Sequence, residues 1–381
     1  MLINVEDARR AARRRLPKIF FDYIEGGSGA ERTLAANEAD FARWNLRQRV
    51  LNDVSNRDLS TNVLGTQQPL PFMLGPVGFL GLYAADGEIA AARAAHMEGV
   101  PFALSSFSIA SIGRLRAETA GPLHFQLYVL NDPTIRDEFI EQALAAGVTT
   151  LFLTVDVAVT GSRERDIRNG FRAVTRITPR LALSMIRRPR WCLDLMRGGM
   201  PQCGAVAHRP EFGHGALAQA GNLARRIETR LSWADVAWLR KRWPHRLVLK
   251  GVLSVEDALA AREAGVDAIV VSNHGGRQLD DAPSTIAMLP EIVEALGGSL
   301  EVLVDGGFRR GTDIVKALAL GASGVLLGRA YVYGLAADGE DGVRRVIRHL
   351  AEEIDTSLAL MGLTSIAELR RRGHEALRER T

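Results

Sequence analysis

Apolar positions in this chain fall in short consecutive runs. Stretches rich in Val, Leu, Ile and Phe at 71–75, 102–105, 123–128, 150–156, 247–251, 268–273, 301–306 and 324–329 are too short for helices and lack strict alternation. Such runs predict strands buried on both faces of a parallel sheet. Between most of them lie amphipathic stretches, 86–98, 134–146, 255–264 and 312–320, which predict the helices of a βαβ series. Gly147, Gly265 and Gly321 read as C-terminal helix caps leading into the next strand. Eight such units, with no Gly-x-Gly-x-x-Gly after the first strand, predict a closed (β/α)8 TIM barrel over 69–360.

The flanks and one connection depart from this rhythm. Residues 1–68, with Pro17, Gly26, Gly27 and mixed helical patterns, predict an N-terminal helical extension packed on the barrel, and 361–381 a C-terminal tail, so that 1–381 is a single domain. After the fourth strand, 157–246 is far longer than a usual loop and predicts an insertion. It reads either as a surface excursion or active-site lid, or as a surface for a membrane interface or a partner. The second reading rests on Leu181, Leu183, Met185, Ile186, Trp191, Leu193, Leu195 and Met196, set among arginines between about 181 and 200.

Composition narrows the class. With 381 residues and 47% hydrophobic content the chain can fill one large barrel core. The 48 basic and 44 acidic side chains nearly balance at +4, which gives no case for nucleic acid as a partner. Cys192 and Cys203 match neither a zinc cluster nor a CxxC pair, so a reducing compartment and no metal are expected. The N-terminus carries Glu6 and Asp7 where a signal peptide carries bases, and no run reaches about 18 apolar residues. A protein that is neither exported nor membrane-spanning is expected.

Polar residues close nearly every apolar run: Ser105, Gln126 with Tyr128, Thr154 with Asp156, Lys250, Ser272 with His274, Asp305, and Gly328 with Arg329. In a (β/α)8 barrel those strand ends carry the chemistry. Asp305-Gly306-Gly307-Phe308-Arg309-Arg310 and Leu327-Gly328-Arg329 offer backbone N–H groups and guanidinium forks to a phosphate, on either a cofactor or a substrate. Lys250, one of only four lysines, could stabilise negative charge on a cofactor ring or form a Schiff base. His274 on a loop at the mouth, with Asp156 to orient its ring, makes a general-base constellation, and Arg277 with Arg163 a carboxylate clamp.

The stretches Ser272-Asn273-His274-Gly275-Gly276-Arg277-Gln278-Leu279-Asp280, Phe125-Gln126-Leu127-Tyr128-Val129, Asp305-Gly306-Gly307-Phe308-Arg309-Arg310-Gly311 and Leu327-Gly328-Arg329-Ala330 resemble the FMN-dependent 2-hydroxy-acid dehydrogenases and oxidases. The resemblance extends to Leu16-Pro17 and Phe21-Asp22-Tyr23. It implies FMN as cofactor and oxidation of an (S)-2-hydroxy acid to the 2-keto acid. His274 would be the base with Asp156 behind it, and Tyr128 would lie near the reacting hydroxyl. Tyr23, Arg163 and Arg277 would engage the substrate carboxylate. Pro76, Val77 and Gly78 would meet the flavin, and Ser105, Gln126, Thr154, Lys250 and Ser272 its ring and ribityl chain. Asp305, Gly307, Arg309, Gly328 and Arg329 would hold the ribityl end and phosphate.

Within the family, 156–166 and 189–194 look most like the (S)-mandelate dehydrogenases, while 47–51 and 76–78 also resemble bacterial L-lactate dehydrogenases. Gly78 and Phe107 would shape the space for the substrate side chain, glycine leaving room for an aryl group, so (S)-mandelate is the expected acid. L-Lactate dehydrogenation, or an oxidase using oxygen, is the alternative. The resemblance further implies a quinone acceptor, a homotetramer, and a cytoplasmic protein peripheral on the inner membrane through the insertion. A phosphate-binding barrel isomerase would not need His274 beside Arg277, and an inactive flavin-binding scaffold would be expected to lose the base.

Overall fold

Eight strands, β1 (Phe72–Leu74), β2 (Phe102–Ser105), β3 (Leu123–Leu127), β4 (Thr150–Thr154), β5 (Arg246–Val252), β6 (Ala268–Val271), β7 (Glu301–Val304) and β8 (Gly324–Leu327), pair in parallel, and β8 returns to β1 to close a barrel. The structure, a computed structural model, describes residues 2–171, 179–197 and 201–380. Each predicted strand is present. Along them side chains alternate between two apolar compartments. Phe72, Leu74, Leu104, Leu151, Leu249, Ile269 and Val304 face outward into the layer shared with the helices. Met73, Ala103, Phe152, Val248, Val270, Leu303 and Leu326 fill the lumen. Since both faces are dry, the strands read as continuous apolar runs.

The same period of two places the chemistry. Two residues beyond the inward Ala103, Phe152, Val248, Val270 and Leu303 stand Ser105, Thr154, Lys250, Ser272 and Asp305, so a polar layer caps the apolar lumen at the C-terminal mouth. The opposite mouth is closed by a hairpin of Thr61–Val63 and Thr66–Gln68. Its Val63 and Leu64 join the lumen cluster, and the Leu64 N–H donates to Glu301 Oε1 at 2.8 Å.

Helices form where expected, for local reasons. Asp132 accepts from the Thr134 N–H (2.9 Å) ahead of Pro133, and Ser254 accepts from the Asp257 N–H (3.1 Å), capping Pro133–Ala145 and Val255–Glu263. Gly147, Gly265 and Gly321 follow helix ends with φ of 70°, 71° and 103°. The N-terminal extension is helical, Val5–Arg15, Lys18–Glu25 and Arg32–Ala39, and buries Val5, Ala8 and Ala12. Residues after 360 are tied down: Ile366–Arg372 is helical, and Leu377–Glu379 pairs antiparallel with Trp44–Leu46.

The long connection differs from its sequence reading in two ways. Trp233–Arg242 is a helix of the barrel layer, so the excursion proper covers 157–232 and holds the helices Glu164–Asn169, Pro179–Ile186, Pro189–Arg197 and Ala216–Arg225. Trp191 belongs to the interior and not to the outer surface. It is buried, its Nε1–H donates to the Leu82 carbonyl at 2.9 Å, and its ring lies 5.1 Å from that of Phe20. Its position reflects a polar N–H that needs a buried partner. Leu183, Ile186, Leu193 and Met196 are 51%, 72%, 52% and 69% exposed. The Leu181 side chain and residues 198–200 lie outside the described residues.

Candidate active site

Beyond β6 the chain turns through three consecutive residues of positive φ: His274 (58°), Gly275 (64°) and Gly276 (74°). Such a conformation costs a non-glycine residue about 1–3 kcal/mol and persists only where its surroundings enforce it. They do so here. The Gly276 N–H donates to Asn273 Oδ1 (3.1 Å), the Gly276 carbonyl accepts from the Ser28 N–H (2.9 Å), and Asn273 exchanges amide hydrogen bonds with Asn37 at 2.8 Å. A Cβ at Gly276 would come within 2.6 Å of the Leu34 backbone, so the close approach admits only glycine.

That turn aims the imidazole. His274 Nδ1 lies 3.0 and 3.1 Å from the two Asp156 carboxylate oxygens, and Nε2 lies 3.3 Å from the Tyr128 hydroxyl. An ionised carboxylate only accepts, so Nδ1 carries the hydrogen and Nε2 presents its lone pair towards Tyr128 and the pocket. Burial lowers the proton affinity of His274, Asp156 raises it, and Lys250 and Arg163 lower it again; the sum is below the ordinary imidazole value. Burial opposes ionisation of Asp156, but His274 and Lys250 more than offset it and keep the carboxylate charged. The site therefore rests with a neutral imidazole on a fixed anion. Burial, then the charge of Asp156, holds the Tyr128 phenol protonated.

The polar layer beneath is joined by hydrogen bonds. Ser105 Oγ donates to Gln126 Oε1 (2.8 Å) and Gln126 Nε2 to Thr154 Oγ1 (2.9 Å). Lys250 Nζ donates to Ser272 Oγ (3.0 Å), which also accepts from the His274 N–H (3.1 Å), and pairs with Asp305 Oδ2 at 2.9 Å. Burial works against the ammonium, yet Asp305 and Asp156 raise its proton affinity above the ordinary value. Lys250 is thus a fixed positive charge, and its use as a neutral Schiff-base amine is disfavoured.

One pocket brings together Tyr23, Pro76, Val77, Gly78, Phe107, Tyr128, Arg163, His274 and Arg277 with Ser105, Lys250, Asp305, Gly307, Arg309, Gly328 and Arg329. Gln126, Thr154 and Ser272 lie among the buried residues beneath it, and Asp156 behind the imidazole. Arg163 Nε donates to the Arg277 carbonyl at 3.2 Å, and both residues line the pocket. Arg277 lies 4.7 Å from the Tyr23 ring centre, and its Nη1 donates to the carbonyls of Tyr23 (2.6 Å) and Gly26 (2.8 Å).

Two residues make contacts that the sequence reading did not include. The Arg329 guanidinium donates to the carbonyls of Ile24, Gly275 and Gly26 at 2.7–2.9 Å, so besides lining the pocket it ties the end of helix Lys18–Glu25 to the His274 turn. The N-terminus of helix Arg329–Leu360 adds backbone N–H groups for an anion there. Gly78 is not simply vacant room: a Cβ there would meet Phe107 Cβ at 3.0 Å and its carbonyl oxygen at 3.2 Å.

The residues fit FMN. Asp305 Oδ1 is buried and lacks a hydrogen-bond partner among the described residues, which suits a ribityl hydroxyl. At Gly328 an added Cβ would meet no atom within 4 Å, so that side of the backbone opens on free space beside Arg309, which pairs with Glu38 at 2.7 Å. The charged Lys250 suits a ring that gains negative charge on reduction.

Sequence reasoning missed several contributors. Gln278 stands in the motif without a role, yet its Nε2 donates to the carbonyls of Asp156 (2.9 Å) and Val159 (2.8 Å), and its Oε1 accepts from the Gly161 N–H (3.3 Å). Its place four residues after His274 was the available signal. Asn37, Phe79 and Ile227 carried none, because their partners are distant in sequence.

The electrostatics make a direct prediction. The His274 ring should titrate below 6.5 by NMR, and Asp156→Asn should lower its pKa further, since the one group that raises it is removed while burial, Lys250 and Arg163 remain. An unchanged or raised value would contradict this balance.

Comparison with known proteins agrees with the geometry. The profile of a family described as FMN-dependent dehydrogenase matches residues 12–376. An L-lactate dehydrogenase of Caulobacter vibrioides is 47% identical over 369 residues, 96% of each chain. The (S)-mandelate dehydrogenase of Pseudomonas putida is 45% identical over 369 residues, covering 97% of this chain and 92% of the relative. A crystal structure of the monotopic membrane protein (S)-mandelate dehydrogenase superposes with a TM-score of 0.95 at 43% identity over 100% of both chains. A mandelate oxidase with bound (S)-2-phenylpropionate gives 0.83 at 37% identity, covering 100% of this chain and 99% of the other. With a barrel, a charged lysine beneath the pocket and a neutral histidine above it, this chain belongs to the FMN-dependent dehydrogenase family.

Proposed function

We propose that the protein oxidises an (S)-2-hydroxy acid with an apolar side chain to the 2-keto acid, and that (S)-mandelate is the preferred substrate. The observation that carries this reading is the His274 imidazole, neutral and held by Asp156, in one pocket with Arg163 and Arg277. The two guanidinium groups bind and orient the carboxylate. Tyr128 donates towards the reacting oxygen, and His274 Nε2 takes a proton, which Asp156 then balances as imidazolium. FMN, when bound, would supply the oxidant, taking up the electron pair and the second hydrogen that the substrate loses. Lys250, Ser272 and Asp305 would hold it from below, with Gly307, Arg309, Gly328 and Arg329 at its phosphate end.

The aryl preference rests on Phe79, Phe107, Val157 and Ile227, which line the rest of the pocket. Phe107 lies 4.8 Å from the Tyr128 ring and 6.0 Å from that of Phe79. L-Lactate is the second reading, favoured by the 47% identity to relatives of that name. Anaerobic mixing of the yellow holoenzyme with (S)-mandelate, L-lactate and glycolate distinguishes them. The largest kcat/KM for flavin bleaching is expected with (S)-mandelate; a larger value with L-lactate supports the second reading, and no bleaching with any of the three overturns both.

The same proposal includes a homotetramer and a membrane quinone as acceptor, reached from the cytoplasmic face. No helix among the described residues is long and apolar enough to cross a membrane. The exposed Leu183, Ile186, Leu193 and Met196, on two short helices beside Arg187, Arg188 and Arg190, support peripheral contact. Because Trp191 is an internal anchor, replacing those four residues together by Ser is the cleaner test than deletion. The variant should shift from membranes to the supernatant while keeping activity with a soluble dye, and unchanged partitioning would count against the contact.

A further inference from the structure

Behind the aromatic wall of the pocket lies a carboxyl that the chemistry above does not use. Glu88, in the first turn of helix Gly87–Met97, is 0% exposed. Its Oε1 accepts from two backbone amides, Leu80 N–H at 3.0 Å and Ile109 N–H at 2.8 Å. Leu80 directly follows Phe79, and Ile109 stands two residues after Phe107, so one oxygen ties together the two loops that carry those rings. The loops also meet directly. The Phe79 N–H donates to the Phe107 carbonyl at 3.0 Å, and a Cβ at Gly78 would press on Phe107, 3.0 Å from its Cβ.

No cation pairs with Glu88 among the described residues, and its Oε2 has no hydrogen-bond partner. The titratable groups that feel its charge are Tyr83 from the turn after Phe79, Cys203 from the insertion and Tyr331 from the helix after β8; burial raises the pKa of each, so all three stay neutral. Burial pushes the Glu88 carboxyl up to about 7, against the backbone N–H groups of Ile109 and Leu80 that favour the anion. An apolar side chain would fill the same volume without the cost of burying a charge. What it could not do is accept two amides from two separate loops at once.

We propose that Glu88 is a positioning residue that fixes the spacing of the Phe79 and Phe107 loops and thereby sets which substrate side chain the enzyme accepts. The inference rests on the reading of those rings as the side-chain subsite. Loss of the acceptor leaves two amides unpaired in an apolar setting, and the loops relieve this by moving apart. The carboxylate clamp and His274 sit on the loops after β4 and β6 and do not depend on Glu88. The effect is therefore on discrimination between side chains.

The test compares the holoenzyme with its Glu88→Leu and Glu88→Gln variants, using kcat and KM for (S)-mandelate and L-lactate. Glu88→Leu is expected to change the ratio of the two kcat/KM values about tenfold, through KM, with flavin content intact. Glu88→Gln keeps a carbonyl acceptor and should restore the ratio to within about twofold of the parent. The Gln variant should also gain thermal stability over the parent above about pH 7 and lose that gain near pH 4.5. The folded pKa is raised, so the burial penalty grows as pH climbs from the unfolded value to the folded one.

A Leu variant with full flavin and the parental ratio overturns the proposal, as does a Gln variant displaced as far as Leu. If the Leu variant does not fold, Glu88→Asp, which retracts the oxygen by one methylene, takes its place: a shifted ratio supports the proposal and a parental one overturns it. If neither acid bleaches the parent, the substrate reading falls and the inference with it, a result distinct from bleaching with an unchanged ratio.

Discussion

The hydrogen bond between His274 Nδ1 and the Asp156 carboxylate joins the loops after β6 and β4, and the reactivity of the site follows from it. It fixes the tautomer and hence the free lone pair on Nε2. It also supplies the anion that makes a proton on the ring tolerable while burial, Lys250 and Arg163 keep the ring neutral at rest. That bond exists only because His274 is held in a left-handed conformation, which in turn requires the N-terminal extension. Ser28 binds the turn, Asn37 binds Asn273, and Arg329 clamps the Gly275 carbonyl to those of Ile24 and Gly26. The extension is therefore part of the active site, and its Tyr23 lines the pocket beside Arg277.

The barrel was legible because burial on both strand faces leaves an unmistakable apolar run, and because inward alternation carries over from the lumen to the polar rim. Val248 to Lys250 and Val270 to Ser272 show the step: the spacing that fills the core also delivers the polar groups to the mouth. His274, Asp156 and Lys250 could thus be found from strand ends alone. The structural duty of Arg329 is not legible, because sequence reveals a guanidinium and not the three carbonyls it joins. Glu88 looked like one more helix residue, since the Leu80 and Ile109 amides come from different loops. Trp191 was grouped with the exposed apolar side chains because helical spacing cannot tell that a single indole N–H finds the Leu82 carbonyl.

This last contact bears on how the insertion serves the enzyme. Trp191 fastens the helix Pro189–Arg197 to the turn Leu80–Leu82, the same turn that Glu88 holds from the other side. At the far end of the insertion, Leu130 and Ile227 form an antiparallel bridge that returns the chain to the pocket. The segment proposed to touch the membrane is thus anchored at its middle, through Trp191, to the turn beside the substrate site. An exposed apolar row can meet lipid without loosening the chemistry, because its anchor is buried.

The central claim is that His274 is the base, and it is tested most directly by anaerobic stopped-flow mixing of the His274→Gln holoenzyme with (S)-mandelate, followed by flavin absorbance. The account predicts a full complement of bound flavin and bleaching slower than the parent by at least about 10²-fold. Bleaching at the parental rate in a variant with full flavin would contradict it.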